Sequence, residues 1–293
     1  MNFNEQYQQI KKLGQTELDI IEQKMVNLIN TKEPLNLFLK KFLTSPSKRI
    51  RPLLAILYTK ACQKEINETQ LDTLTIIELI HNASLIHDDI IDNGNFRRKH
   101  KTLNAEFDNK LAVISGDYIL ALAMEKLTEI NNIEIIKNIS HTIKQMCLGE
   151  INQNFDRFKI GTIEEYIEKN KKKTAYLFEC TLVCNALLSE LQQDLEQISK
   201  FGLNVGIAFQ IRDDLLNLSQ SDKSKPTHND ITEGIYNAPI IYAQSVENYH
   251  SGIEKTKDLL NNYVQCAKEN IKNLPENDYK FALMKFLELL KNV

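Results

Sequence analysis

Apolar residues recur along this chain at three- and four-residue intervals, the spacing that puts them on one face of a helix. Residues 4–30 read as an amphipathic helix, and Thr31-Lys32-Glu33-Pro34 opens a second. A turn at Ser45-Pro46-Ser47 leads through Lys48-Arg49-Ile50-Arg51-Pro52 into a helix over Leu53–Cys62. Helix then runs from Glu68 to Asp92, and again across about 104–130, 133–157, 163–171, 173–189 and 192–218. Two or three closing helices lie between about 230 and 291. Polar loops are expected at Asn93–Thr102 and Ser219–Asn229. No alternating strand pattern, short repeat or Gly-, Ser- or Pro-rich linker interrupts the series, so one all-α domain over 1–293 is expected.

One of these helices ends strangely. Leu74, Ile76, Ile77, Leu79 and Ile80 mark it as buried, yet it closes in His81-Asn82-Ala83-Ser84-Leu85-Ile86-His87-Asp88-Asp89-Ile90-Ile91-Asp92. Asp88 and Asp92 lie one turn apart on one face, with Asp89 beside them. A helix C-terminus carries partial negative charge and disfavours anions. Acids gathered there suggest a site for hard divalent cations bound through oxygen.

The pattern is repeated at Gly206-Ile207-Ala208-Phe209-Gln210-Ile211-Arg212-Asp213-Asp214-Leu215-Leu216-Asn217. This is again an apolar helix ending in Asp-Asp, with an oxygen ligand three residues on. Gly202 and Gly206, one turn apart, would let it pack closely on a neighbour. Two such acidic ends facing a cavity would repel each other; several Mg²⁺ ions and a polyanionic ligand would balance them.

Composition narrows the partners. At 42% apolar and 26% charged residues the chain has a soluble globular make-up, and a net charge of -3 gives no nucleic-acid footprint. No charged-then-apolar leader opens the sequence, and no apolar stretch approaches the ~20 residues of a membrane span. Five cysteines without framework spacing suggest reduced thiols and a cytoplasmic location; Cys180 and Cys184 share a helix face and suit core packing.

The basic residues point the same way. There are six arginines against thirty lysines, and four of the six stand in two tight groups, Arg49/Arg51 and Arg97/Arg98. Arginine's planar fork suits bidentate binding of phosphate oxygens. Phosphate contact is expected for Lys48, Arg51, Arg97 and Arg98, and a solvated loop position for Arg49. Neither G-x-x-x-x-G-K nor G-x-G-x-x-G is present, which argues against ATPases and dehydrogenases. Apolar helices around such a site suggest a ligand with phosphates at one end and a greasy remainder at the other.

From about residue 40 to 245 the chain resembles the trans-isoprenyl diphosphate synthases of the polyprenyl synthetase family. The resemblance rests on Lys48-Arg49-Ile50-Arg51-Pro52, the His81 to Asp92 stretch, Arg97-Arg98, Gly116-Asp117, Lys173-Thr174, Phe209-Gln210 with Asp213-Asp214, and Lys225-Pro226 leading to Asp230. It implies an antiparallel helical bundle around a deep central cavity, the isoprenoid synthase fold, usually as a homodimer. It also implies an enzyme that joins isopentenyl diphosphate to an allylic prenyl diphosphate. Asp88, Asp89 and Asp92 would hold Mg²⁺ on the allylic diphosphate, and Asp213, Asp214 and Asn217 a further Mg²⁺. Lys48, Arg51, His81 and Arg98 match positions for isopentenyl diphosphate; Arg97, Lys173, Thr174, Gln210 and Lys225 match the allylic site. In such enzymes diphosphate leaves the allylic carbon, the isopentenyl double bond attacks, and the departing diphosphate takes the final proton. His87 is expected to pack or to support its neighbours rather than to act as a base.

The chain departs from the family pattern at three places. Asn217 stands where an aspartate usually ends the second motif, Ser47 where glycine commonly precedes the Lys-Arg pair, and Ile235 where lysine is frequent. These keep a second possibility open, a weakly catalytic or regulatory subunit of a heteromeric synthase. A class I terpene cyclase is the weaker third, since it needs no isopentenyl-binding cluster. Chain length follows from the residues before the first acids. Ala83 and Ser84 are small where short-product relatives carry aromatics, so a tunnel is expected to continue to Ile80 and Ile77. The implied product has about six to eight isoprene units, thirty to forty carbons.

Overall fold

The computed structural model describes residues 3–218 and 229–293. The helices are α1 (Phe3–Lys11), α2 (Gln15–Leu28), α3 (Leu35–Thr44), α4 (Ile50–Ala61) and α5 (Glu68–Ile91). They continue with α6 (Leu103–Glu106), α7 (Asn109–Glu129), α8 (Ile133–Phe155), α9 (Ile163–Asn170) and α10 (Tyr176–Leu187). The rest are α11 (Leu195–Leu218), α12 (Asn229–Thr232), α13 (Ala238–Ala243), α14 (Ile253–Ile271) and α15 (Asp278–Leu290). Strands β1 (Phe96–Arg97) and β2 (His100–Lys101) form one small hairpin. The all-α expectation holds.

The chain forms two compact units. One contains Gly14–Ile56 and Glu65–Ile136, and is organised on α5. Along this helix Leu71, Leu74, Ile76, Ile77, Leu79, Ile80, Ala83 and Ile86 are all buried, so it is apolar nearly all round. Helices α2 and α7 pack on it. Its start is fixed by a capping box: Asn67 accepts from the Gln70 backbone while the Gln70 side chain returns to the Asn67 N–H. Its end is a Schellman turn. Gly94 N–H donates to the Asp89 carbonyl and Asn93 N–H to that of Ile90, with Asn93 at φ 50°. The left-handed residue is therefore Asn93 and not the glycine beside it.

The other unit contains Met1–Leu13, Leu57–Lys64 and Lys137–Val293, and is organised on α11. Helices α10, α14 and α15 contact it, and Ile198, Phe201, Val205, Ile207, Ala208 and Ile211 are buried. Phe201 packs on Tyr58 with ring centres 5.6 Å apart. Cys180 and Cys184 are buried in this core, as expected. The predicted helices 163–171 and 173–189 form a nearly continuous rod, joined by a π-turn over Lys171–Ala175. A π-turn inserts one extra residue into the helical ladder and is found preferentially at functional sites.

The two glycines of α11 do what their spacing suggests. A methyl group on Gly202 would lie 2.7 Å from the Glu179 Cα, and one on Gly206 would lie 2.5 Å from the Ala175 Cα. Backbone cannot yield to such contacts as a flexible side chain would. Gly206→Ala is expected to cost about 1–3 kcal/mol, read as a lower urea midpoint at unchanged slope.

Candidate active site

In the α5 unit, the acids stand at the end of the spine helix. Asp89 is buried, and Arg97 on β1 holds it from across the Gly94 turn: Nε donates to Oδ1 and Oδ2 at 2.8 and 2.9 Å, and Nη2 lies 2.8 Å from Oδ1. Burial pushes the Asp89 carboxyl up, against the pull of Arg97. Asp88 and Asp92 flank it, Asp88 half-buried and Asp92 exposed.

The loop expected at Asn93–Thr102 is instead a hairpin. Arg97 pairs with His100, and the two turn residues Arg98 and Lys99 are both left-handed, at φ 51° and 68°. This is the backbone of a two-residue hairpin turn that glycine or asparagine normally supplies. Thr102 and Asn104 both donate to the Gly94 carbonyl and tie the hairpin to the helix end. Arg97 is thereby aimed back at the acids, while Arg98 donates to Ser45 Oγ at 2.9 Å.

Arg49 is not on a solvated loop. Its backbone is left-handed, at φ 53°, and its guanidinium turns inward. It donates to Glu78 Oε2 at 2.9 Å, to Glu22 Oε2 at 3.3 Å, and to the Leu43 carbonyl. The inverted backbone sends this arginine away from its neighbours, of which Lys48 is exposed and Arg51 half-buried. Arg51 Nη1 reaches His81 Nε2 at 3.1 Å. Burial pushes Arg51 down to about 10, against the pull of Glu78. His81 is held well below its ordinary value by burial, then by Arg51, Arg98, Arg49 and Arg97. It is a neutral imidazole among four guanidiniums. The His87 ring lies against Gly116, with Nε2 3.3 Å from Asp117 Oδ1.

Ile77, Ile80 and Ala83 are buried on α5, and Ser84 is half-buried with its hydroxyl turned back to the His81 carbonyl.

In the α11 unit, Asp214 is buried and accepts from two neutral donors, Tyr166 Oη at 2.6 Å and Gln210 Nε2 at 2.9 Å. Gln210 in turn accepts from Thr174 Oγ1 at 2.7 Å. Lys173, on the same π-turn, is 2.8 Å from Glu150 Oε2 and 3.2 Å from Gln153 Oε1 on α8. Asp213 and Asn217 are half-buried. Arg212 stacks its guanidinium on the Phe3 ring, 4.1 Å away. Lys225 and Pro226 lie outside the described residues, as does the side chain of Asp230.

Among the described residues no three His, Cys, Asp or Glu side chains form a ready-made metal cage. The donor chemistry nevertheless suits Mg²⁺, which takes one or two carboxylates and completes its shell with water and substrate phosphate. Each acid end offers hard oxygens only.

Sequence patterning alone pointed to neither Glu78, Tyr166, Glu150 nor Gln153. Glu78 carried a faint signal, as the lone charge in the apolar run from Leu74 to Ile80. Tyr166 carried none, since its partner is 48 residues away.

These pieces can be set against known proteins. Residues 32–276 match the family model for polyprenyl synthetase. The chain belongs to the polyprenyl synthetase family. It is 33% identical to a prenyl transferase of Cyanidium caldarium over 303 aligned positions, covering 93% of this chain and 94% of that one. It is also 33% identical, over 78% of its length, to heptaprenyl diphosphate synthase component 2 of Bacillus subtilis (strain 168), of which 66% is covered. The crystal structure of heptaprenyl diphosphate synthase from Staphylococcus aureus has the same fold, with TM-score 0.88 and 25% identity, covering 100% of this chain and 99% of that one. The isoprenoid synthase fold is thus this polyprenyl synthetase's fold.

The buried pair Arg49–Glu78 is the clearest stability element of the site. Arg49→Ala would strand a buried carboxylate, a change expected to cost about 3–5 kcal/mol. The measurement is the shift in denaturant midpoint.

Proposed function

We propose that this chain is a Mg²⁺-dependent trans-polyprenyl diphosphate synthase that adds isopentenyl diphosphate to an allylic prenyl diphosphate such as farnesyl or geranylgeranyl diphosphate. The observation that carries it is the contact of Arg51 with His81 at 3.1 Å, with Arg97 and Arg98 on the adjoining hairpin, beside the helix that ends in Asp88, Asp89 and Asp92. Such a cluster is costly without a polyanion and suits a diphosphate. The names of its relatives, heptaprenyl synthases among them, support a long product.

On this proposal, Lys48, Arg51 and Arg98 bind isopentenyl diphosphate. His81, uncharged, contributes a hydrogen bond whose direction its tautomer sets. Arg97 uses Nε and Nη2 on Asp89, so Nη1 is its donor group for phosphate. Lys173, steadied by Glu150 and Gln153, and Lys225 add positive charge at the diphosphate that leaves. Asp88, Asp89 and Asp92 on one helix, and Asp213, Asp214 and Asn217 on another, would hold Mg²⁺, which neutralises charge on the leaving group when bound. The residues Ile77, Ile80, Ala83 and Ser84 would line the path of the growing tail. We also propose that the whole chain works as one domain, as a cytoplasmic homodimer. The reduced-thiol composition and the lack of any described helix long and apolar enough to cross a membrane support the location.

A second reading has one observation in its favour. One relative is named component 2 of a heptaprenyl diphosphate synthase, and Asn217 removes a charge from the second acid motif. The chain would then require an unlike partner subunit to be fully active.

Purified protein with Mg²⁺, labelled isopentenyl diphosphate and farnesyl diphosphate is expected to give products of about six to eight isoprene units. No elongation by the chain alone would move the assignment to the subunit reading. Ser84→Phe and Ala83→Phe should each shorten the product. Unchanged length in both variants would remove these residues from the tail path.

A further inference from the structure

Asp214 sits in the second acid motif, but its oxygens are held by groups outside that motif. Tyr166, on α9, donates to Oδ2 at 2.6 Å, and Gln210, one turn earlier on α11, donates to Oδ1 at 2.9 Å. A carboxylate can only accept, so the Gln210 amide must turn its nitrogen to Asp214 and its oxygen to Thr174. Thr174 Oγ1 then has to be the donor, at 2.7 Å. The Thr174 and Tyr166 hydroxyl hydrogens and one Gln210 amide hydrogen are thereby assigned.

The backbone is shaped for this chain. The π-turn Lys171–Ala175 carries Thr174, and Gly206 lets α11 approach Ala175 closely enough to bring Gln210 within reach of it. Thr174, Tyr166 and Asp214 are all buried, so a lost donor leaves a buried acceptor short of a hydrogen bond. Lys173 stands next to Thr174 on the same turn, which joins the lysine's position to that of the carboxylate. Tyr166 is the far support: it is the one member of the chain contributed by α9.

We propose that Tyr166 is a positioning residue for the second acid motif, fixing the Asp214 carboxylate so that this motif binds a divalent cation together with a diphosphate. The proposal rests on the prenyltransferase reading for its ligand. It assigns Tyr166 no contact with the reacting atoms. Partners that orient metal-binding carboxylates typically contribute about 10- to 100-fold in affinity or activity.

The test is a Mg²⁺ titration in the presence of inorganic diphosphate, followed by the rise in melting temperature, for the wild type, Tyr166→Phe, Asp214→Asn and the double variant. Tyr166→Phe should need about tenfold more Mg²⁺ for half the shift, and the double variant should match Asp214→Asn, because the hydroxyl then has no charge left to position. In turnover, kcat should fall while KM for isopentenyl diphosphate stays within about twofold. Equal Mg²⁺ midpoints in wild type and Tyr166→Phe would overturn the role. So would a double variant that unfolds, or binds Mg²⁺ more weakly, where Asp214→Asn alone does not; this comparison decides the matter even if Tyr166→Phe by itself fails to fold. A wild type that responds to Mg²⁺ and diphosphate but transfers no prenyl group defeats the functional reading and leaves the Tyr166 result standing. A wild type with no Mg²⁺ response overturns both.

Discussion

A carboxylate buried at the C-terminal end of a helix is opposed twice, by the loss of water and by the helix's own negative end. Asp89 is in that position, and the bidentate grip of Arg97 is what makes it tolerable. Much of the surrounding backbone follows from the need to deliver that arginine. The Schellman turn at Asn93 reverses the chain, two left-handed residues tighten the hairpin, and Thr102 and Asn104 close it onto Gly94. A left-handed conformation costs a non-glycine residue roughly 1–2 kcal/mol. Arg98 and Lys99 both accept it, which is the kind of local strain that persists where the surrounding structure over-determines a geometry.

The same unit also gathers several arginines near His81. Arg49 is neutralised by Glu78 and Glu22, and Arg97 by Asp89. Arg51 and Arg98 are pressed downward by burial, and in the case of Arg98 by Arg49 and Arg97 as well. Burial, and after it the field they make, keeps His81 neutral. Folding stability would be better served by apolar residues at these positions, so the arrangement makes sense as one completed by an anion. The proposed diphosphate meets that requirement with no further rearrangement of charge.

The helices were legible because burial and period coincide: α5 and α11 carry buried apolar residues over many turns. What the sequence concealed was backbone inversion. Lys48, Arg49 and Arg51 look alike as letters, but φ 53° at Arg49 turns one of them into the interior. The hairpin was hidden for a related reason, since Arg-Lys occupies a turn that Asn-Gly would have announced. The π-turn at Lys171–Ala175 appears in sequence only as a slight break between two helical patterns. Tyr166 and Glu150 were beyond reach because their contacts depend on how distant helices pack, and no local pattern records that. The acids, by contrast, stood out in sequence because they violate helix electrostatics locally.

The two acid ends are alike in sequence and differ in how they are held. Asp89 is gripped by a cation, so the first motif gives up part of its negative charge to the protein. Asp214 accepts hydrogen bonds from a phenol and an amide. Arg212, on the same helix, stacks its guanidinium on Phe3. Asparagine at position 217 supplies an oxygen without a charge at this helix end. On the proposed function, its effect falls on the uptake of the cation and hardly at all on the fold, because Asn217 is half-buried and an amide there leaves fewer like charges for the helix end to bear.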